Sequence, residues 1–233
     1  MTRILQKVSL VRDNSNALIA ENSPRSRVYA LGGSYKRLID FTLALLALVS
    51  VVPIFVVVAV AIKLCDGGPI FFKHQRVGLG GKMFPCLKFR TMRMRSDIYL
   101  IRYLESDPQA AEEWKSKQKL SHDPRVTAIG GSLRRSSIDE LPQLINVLRG
   151  EMSLVGPRPV TTDEMARYGR DAAFYLSARP GLTGVWQISG RNDVSYAERV
   201  RMDAEYCRTW TLLGDVSIML RTVPVLFSQR GSC

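Results

Sequence analysis

Leu133-Arg134-Arg135-Ser136-Ser137-Ile138-Asp139-Glu140-Leu141-Pro142-Gln143 is the stretch on which the reading of this chain turns. Two adjacent carboxylates follow a pair of arginines where a helix is poised to begin. Ser137 and Glu140 have the S-x-x-E spacing of a capping box, yet Pro142 is tolerated only in the first turn or so of a helix. The helix therefore starts near Asp139 or kinks there. On either reading the carboxylates stand at a positive helix N-terminus beside Arg134 and Arg135, which favours their ionised form. That suits a nucleophile or a metal ligand, with ordinary helix capping as the competing account.

Upstream of this stretch, no residue from Phe41 to Ile62 is charged. At ~1.5 Å per helical residue such a run covers ~33 Å, enough for a bilayer core of ~30 Å. Lys36 and Arg37 precede it, and Lys63, Lys73, Arg76 and Lys82 follow, so both ends prefer the cytoplasm. Pro53 removes a backbone hydrogen bond near the middle. A helix that dips into the membrane, breaks at Pro53 and returns satisfies both observations; a single span is the rival.

Residues 1–33 are polar, rich in Asn, Ser and Arg, and read as a disordered arm with no apolar run early enough for a signal peptide. The division is then an arm over 1–33, a re-entrant or single-span helix over 34–66, and a cytosolic, membrane-associated catalytic domain over 67–233. The fold class is α+β, mostly helical, with a small β-hairpin. That hairpin is Ile70–Val77 and Met83–Phe89 around a Gly-rich turn. It delivers Lys88 and Arg90 on one strand face, where a solvated surface is the bland alternative. Asp107-Pro108 opens a helix reaching about Lys119. Ser195 and Glu198 open another, with Val200, Cys207 and Trp210 on its apolar side. The last helix, about Asp215 to Phe227, belongs either to the core or to a membrane interface.

Of the 233 residues 46% are hydrophobic, and 33 Lys+Arg against 21 Asp+Glu leave a net charge of +12. The surplus points to phosphate in some form: nucleic acid, anionic lipid or phosphorylated small molecules. Cys65, Cys86, Cys207 and Cys233 lack zinc-site spacing and fit a reduced, cytosol-facing chain. With His74 and His122 the only histidines, imidazole chemistry has little material.

Two Gly/Pro loops carry arginines. In Gly156-Pro157-Arg158-Pro159 the flanking prolines hold Arg158 extended, so it loses little entropy on binding an anion; a rigid turn with an incidental arginine is the alternative. Arg179-Pro180-Gly181-Leu182-Thr183-Gly184, followed by Gly190-Arg191-Asn192, can also cradle phosphate but matches no nucleotide-binding fingerprint.

Taken in order, the apolar segment, K-F-R-T-M (88–92), D-P-R-V-T (123–127), L-R-R-S-S-I-D-E-L-P-Q (133–143), M-S-L-V-G-P-R-P (152–159) and R-P-G-L-T-G-V-W-Q-I-S-G-R (179–191) resemble the bacterial sugar transferases. These are the monotopic phosphoglycosyl transferases that begin polysaccharide assembly on undecaprenyl phosphate, and the likeness covers about residues 34–228. Among their subgroups the chain is most similar to the short enzymes that initiate exopolysaccharide synthesis with galactose-1-phosphate, with glucose the next candidate.

The resemblance implies that Asp139 is a nucleophile toward the sugar-proximal phosphorus of a UDP-sugar, and that Glu140 holds Mg²⁺. By the same resemblance Lys88, Arg90, Arg134 and Arg158 neutralise phosphate charge, and Arg179, Thr183 and Arg191 contact the nucleotide or the lipid phosphate. It implies a location at the bacterial inner membrane with the catalytic domain facing the cytoplasm. It leaves a second copy of the chain or downstream glycosyltransferases open as partners. The family often has Ser directly before the membrane proline where this chain has Val52, so the break rests on Pro53 alone. A membrane-tethered nucleic-acid binder would leave the acidic pair without purpose, and nucleic acid is not an expected partner. A scaffold would not need the pair either.

Overall fold

Helix α1 (Gly33–Asp66) carries the apolar run through Pro53 as one continuous element. The computed structural model describes residues 30–117, 120–189 and 194–227. The expected arm lies outside these residues except for its last few, where Leu31 donates its N–H to the Ser177 carbonyl. Pro53 has no N–H to offer the Val49 carbonyl, and the nearby Ser50 hydroxyl bonds the Leu46 carbonyl at 2.9 Å. Neither interrupts the helix.

The residues of α1 that meet the rest of the chain recur at helical spacing and form one stripe: Lys36, Asp40, Ala44, Ala47, Leu48, Val51, Phe55, Val58 and Ile62. Its ends are polar. Lys36 pairs with Asp215, Arg37 donates to the Val147 and Leu148 carbonyls at 2.6 and 2.8 Å, and Asp40 accepts from the Ser153 hydroxyl and the Leu154 N–H. At the far end Asp66 approaches Arg90 at 3.3 Å. The other faces are apolar and exposed, including Leu38, Leu46, Val49, Val57, Val60 and Leu64. Mean hydropathy reaches 3.1 over an 18-residue window that is only 11% buried. The helix is long and apolar enough to cross a membrane by length and composition.

Strands β1 (Phe71–Val77) and β2 (Met83–Phe89) form the expected antiparallel hairpin, with Val77 opposite Met83 and Phe71 opposite Phe89. Helices α2 (Ser96–Ser106) and α3 (Pro108–Lys117) follow. Pro108 opens α3, where Asp107 accepts from the N–H groups of Gln109 and Ala110. Next come α4 (Ala128–Arg135), a 3-10 turn over Ile138–Glu140, and α5 (Gln143–Arg149). Strand β3 (Ser153–Val155) pairs in parallel with β4 (Gly181–Thr183). Between those strands lie the short helices α6 (Thr162–Met165) and α7 (Ala172–Leu176). After them come α8 (Val185–Ile188), α9 (Tyr196–Arg208) and α10 (Leu212–Phe227).

Thr161 and Glu164 make the full reciprocal capping box, at the start of α6. Ser195 caps α9 through the Glu198 N–H. Trp210 lies beyond α9 and packs with Val155 and Tyr206. Phe89 joins the hairpin to α1, edge-on to Phe55 at 4.9 Å and stacked on Phe71 at 5.6 Å. Asn146 of α5 ties the same sheet from behind by accepting the Leu87 N–H at 2.9 Å. Helix α10 turns Asp215 and Ile218 inward and leaves Leu213, Leu220 and Val223 exposed.

Candidate active site

The acidic pair lies on the 3-10 turn between α4 and α5. Thr127 caps α4 by accepting the Gly130 N–H at 3.0 Å. Gly130 lies so close to Thr91 that a Cβ there would meet its carbonyl oxygen at 2.0 Å. Ser137 then takes the left-handed conformation, φ 56°, and its side chain makes no capping bond. The expected Ser137–Glu140 capping box is therefore absent, because a left-handed residue turns its hydroxyl away from the N–H it would cap. Glu140 and Leu141 donate to the Ser137 and Ile138 carbonyls, closing a tight 3-10 turn. Pro142 stands just ahead of α5, which resolves the conflict at Asp139: the dyad precedes the α-helix.

Asp139 is buried, and its pKa is pushed up to about 6, first by burial and also by Glu140, against the pull of Lys88 and Arg134. The expectation that the helix terminus keeps this carboxyl at an ordinary or lower pKa is corrected: desolvation outweighs the nearby positive charge. Lys88 reaches Glu140, Nζ to Oε1, at 2.7 Å. Arg134 donates from Nε to the Thr91 hydroxyl at 2.9 Å, which fixes it beside the acidic turn. Arg90 is buried at the C-terminal end of α1, next to Asp66. The hairpin and α4 thus bring Lys88 and Arg134 to the dyad, whereas Arg90 is tied to the C-terminal end of α1.

Arg158 is positioned by a different set of elements, strands β3 and β4 and helix α9. The Gly156 N–H bonds the Thr183 carbonyl, and the Gly181 N–H bonds the Pro157 carbonyl at 2.7 Å. The Arg158 backbone N–H is held by the buried carboxyl of Asp203, whose pKa burial pushes up to about 7 and which also accepts the Tyr168 hydroxyl at 2.8 Å. The Arg158 guanidinium lies over the Trp186 ring at 5.3 Å, and Arg199 lies over the same ring at 4.5 Å. Cys86, its thiol pushed up by burial to about 11, feels Lys88, Glu140 and Arg158 together.

Arg179 and Thr183 are placed elsewhere. Arg179 donates to the Gly150 carbonyl at 2.9 Å and lies beside Arg37 and Asp40 near the start of α1; burial lowers its pKa. The Thr183 hydroxyl bonds that of Thr222, tying β4 to α10 at 2.8 Å. Arg191 lies outside the described residues. Asp203, Trp186 and Thr91 were not singled out from the sequence. Trp186 and Thr91 lie inside motifs whose arginines drew the attention, and a lone Asp203 carries no spacing signal.

Among the described residues no cluster of three or more His, Cys, Asp or Glu side chains could hold a metal. The dyad fits Mg²⁺ in a narrower sense. That ion takes one or two protein carboxylates and completes its octahedron with water and substrate phosphate.

Residues 31–229 match the family described as bacterial sugar transferase. The chain is 52% identical over 202 residues to an exopolysaccharide production protein, ExoY, of Sinorhizobium fredii, covering 87% of this chain and 89% of that one. It is 47% identical to the undecaprenyl-phosphate galactose phosphotransferase of Salmonella typhimurium over 84% of this chain, but spans only 41% of that longer protein. To the UDP-glucose:undecaprenyl-phosphate glucose-1-phosphate transferase of Caulobacter vibrioides it is 44% identical, over 84% of this chain and 71% of that one. The chain is a transferase and belongs to the bacterial sugar transferase family.

Proposed function

We propose that this enzyme transfers a sugar-1-phosphate, with galactose the first candidate and glucose the second, from a UDP-sugar to undecaprenyl phosphate, and so starts an exopolysaccharide repeat unit. The observation that carries this reading is a buried carboxylate, Asp139, held on a tight turn with Glu140, Lys88 and Arg134 around it. A carboxylate is a competent covalent nucleophile toward phosphorus. With its pKa about 6, roughly nine in ten copies of Asp139 are ionised at pH 7.

In the first half-reaction an Asp139 oxygen bonds the sugar-proximal phosphorus as the bridging P–O bond breaks and UMP leaves. In the second, an oxygen of the lipid phosphate bonds that phosphorus and the Asp139 carboxylate is released. Lys88, Arg134 and Arg158 neutralise charge as it moves across the transferred group. Glu140 would hold Mg²⁺, which when bound supplies further neutralisation of the diphosphate.

The break at Pro53 expected from the sequence does not form in α1, and the membrane part is read as re-entrant only in the sense that both ends of the helix stay on one side of the bilayer. Two ionic contacts at opposite ends of α1, Lys36–Asp215 and Asp66–Arg90, reach the same catalytic unit, and at ~1.5 Å per residue its 34 residues extend ~51 Å. An upright span would carry one of these contacts across the bilayer. This reading places the catalytic domain on the cytoplasmic face of the inner membrane. A panel of UDP-sugars with undecaprenyl phosphate and Mg²⁺ tests the function: one donor should release UMP well above the others, and release of none would end the proposal.

A further inference from the structure

The two phosphate-bearing substrates of such an enzyme differ in where they come from, and the site has arginines on two sides. Arg158 is stacked on Trp186 and held by α9, away from α1. Arg90 lies under the link that follows α1. A Cβ on Gly68 would fall 1.8 Å from an Arg90 terminal nitrogen and 2.9 Å from the Met94 sulfur. Arg90 is only 7% exposed, and neither terminal guanidinium nitrogen has a hydrogen-bond partner.

Its counter-charge is poorly made. Asp66 Oδ2 stands 3.3 Å away but, like the two nitrogens, lies outside hydrogen-bond geometry. Asp66 is also the last residue of α1, the helix end where the macrodipole disfavours an anion. A buried guanidinium with so weak a partner would gain from a better-matched anion. A phosphate monoester offers more charge and a bidentate fit to the same fork.

The surroundings select the kind of phosphate. Phe71, stacked on Phe89 next to Arg90, is 38% exposed, and Met94 is 49% exposed. An apolar rim around a buried cation, at the end of the most apolar helix in the chain, suits a long-chain lipid phosphate rather than a nucleotide arriving from water.

We propose that Arg90, uncovered by displacement of the Met94 side chain, binds the phosphate of the lipid acceptor, with Asp66 as the placeholder that this phosphate displaces. Donor and acceptor phosphates are thereby divided between Arg158 and Arg90. The proposal rests on the two-step reading above. In the second step the Arg90-bound phosphate oxygen forms the new P–O bond while the bond from phosphorus to the Asp139 carboxylate breaks, its electron pair returning to the carboxylate.

The test measures the two halves separately on the full chain in detergent, with the UDP-sugar that supports turnover and undecaprenyl phosphate. Arg90→Gln should slow discharge of the phosphosugar-enzyme to the lipid by about tenfold or more and change UMP release without lipid by less than about threefold. Asp66→Asn removes the competitor and keeps the cation, so KM for undecaprenyl phosphate should fall while KM for the donor stays. Equal slowing of both halves by Arg90→Gln, or a higher lipid KM in Asp66→Asn, would overturn the assignment in favour of a structural ion pair. Absence of any phosphosugar-enzyme in the wild type would instead retire the two-step reading. The steady-state KM values for lipid and donor would then decide the role of Arg90 by themselves.

Discussion

In the proposed reaction Asp139 is the nucleophile, and at the scale of single residues its burial makes a signed prediction. Because the pKa is raised to about 6, the nucleophilic carboxylate gains population as pH rises through 6 and loses it below. The kcat/KM for UMP release should therefore fall about tenfold per pH unit below 6 and level off above 7. Asp203 also has a raised pKa, about 7, so Asp203→Asn separates the two: the acid limb should stay in place, and its disappearance would move the assignment to Asp203. Arg158→Lys keeps charge but loses the planar fork and its stacking on Trp186. Turnover should fall by about tenfold or more with little change in thermal midpoint, and unchanged turnover would return Arg158 to a structural role. The dyad was legible because its carboxylates are adjacent in the chain. Asp203 was not, since its partners Tyr168 and Arg158 come together only through the fold. Arg179 and Thr183 illustrate the converse, because a Gly/Pro loop shows that an arginine is held without showing which way it faces.

At the scale of elements, α1 and the hairpin were readable from apolar run length and from two short runs around a Gly-rich turn. The pairing of β3 with β4 was not, because three-residue parallel strands leave no periodicity and their register depends on Gly156 and Gly181 approaching closely. Helix α1 is anchored at its start by a buried network: Asp215 pairs with Lys36 and accepts from the Tyr206 hydroxyl at 2.7 Å and the Trp210 indole N–H at 3.0 Å. Asp215→Asn strands the Lys36 ammonium in a buried site and should destabilise the fold by about 3–5 kcal/mol, read as a lower thermal midpoint in detergent. A midpoint within a degree or so of wild type would show that α1 is held by its apolar stripe alone.

For the whole molecule, the polar ends of α1 place both of its termini beside one catalytic unit. Cys65 is exposed, whereas Cys86 and Cys207 are buried, and Tyr35 is exposed at the other end. In a chain lacking Cys233, an impermeant thiol reagent applied to intact cells should label neither Cys65 nor an introduced Tyr35→Cys. Labelling at one end alone would establish a single span. The covalent step is tested most directly by the mass of the intact chain after mixing with UDP-sugar and Mg²⁺ in the absence of lipid. Wild type should gain one hexose phosphate, located on Asp139, with release of up to one equivalent of UMP, while Asp139→Asn gains nothing. Direct attack by the lipid phosphate, with Asp139 merely ligating metal, requires instead an unchanged wild-type mass and no UMP until lipid is added; that result would contradict the account.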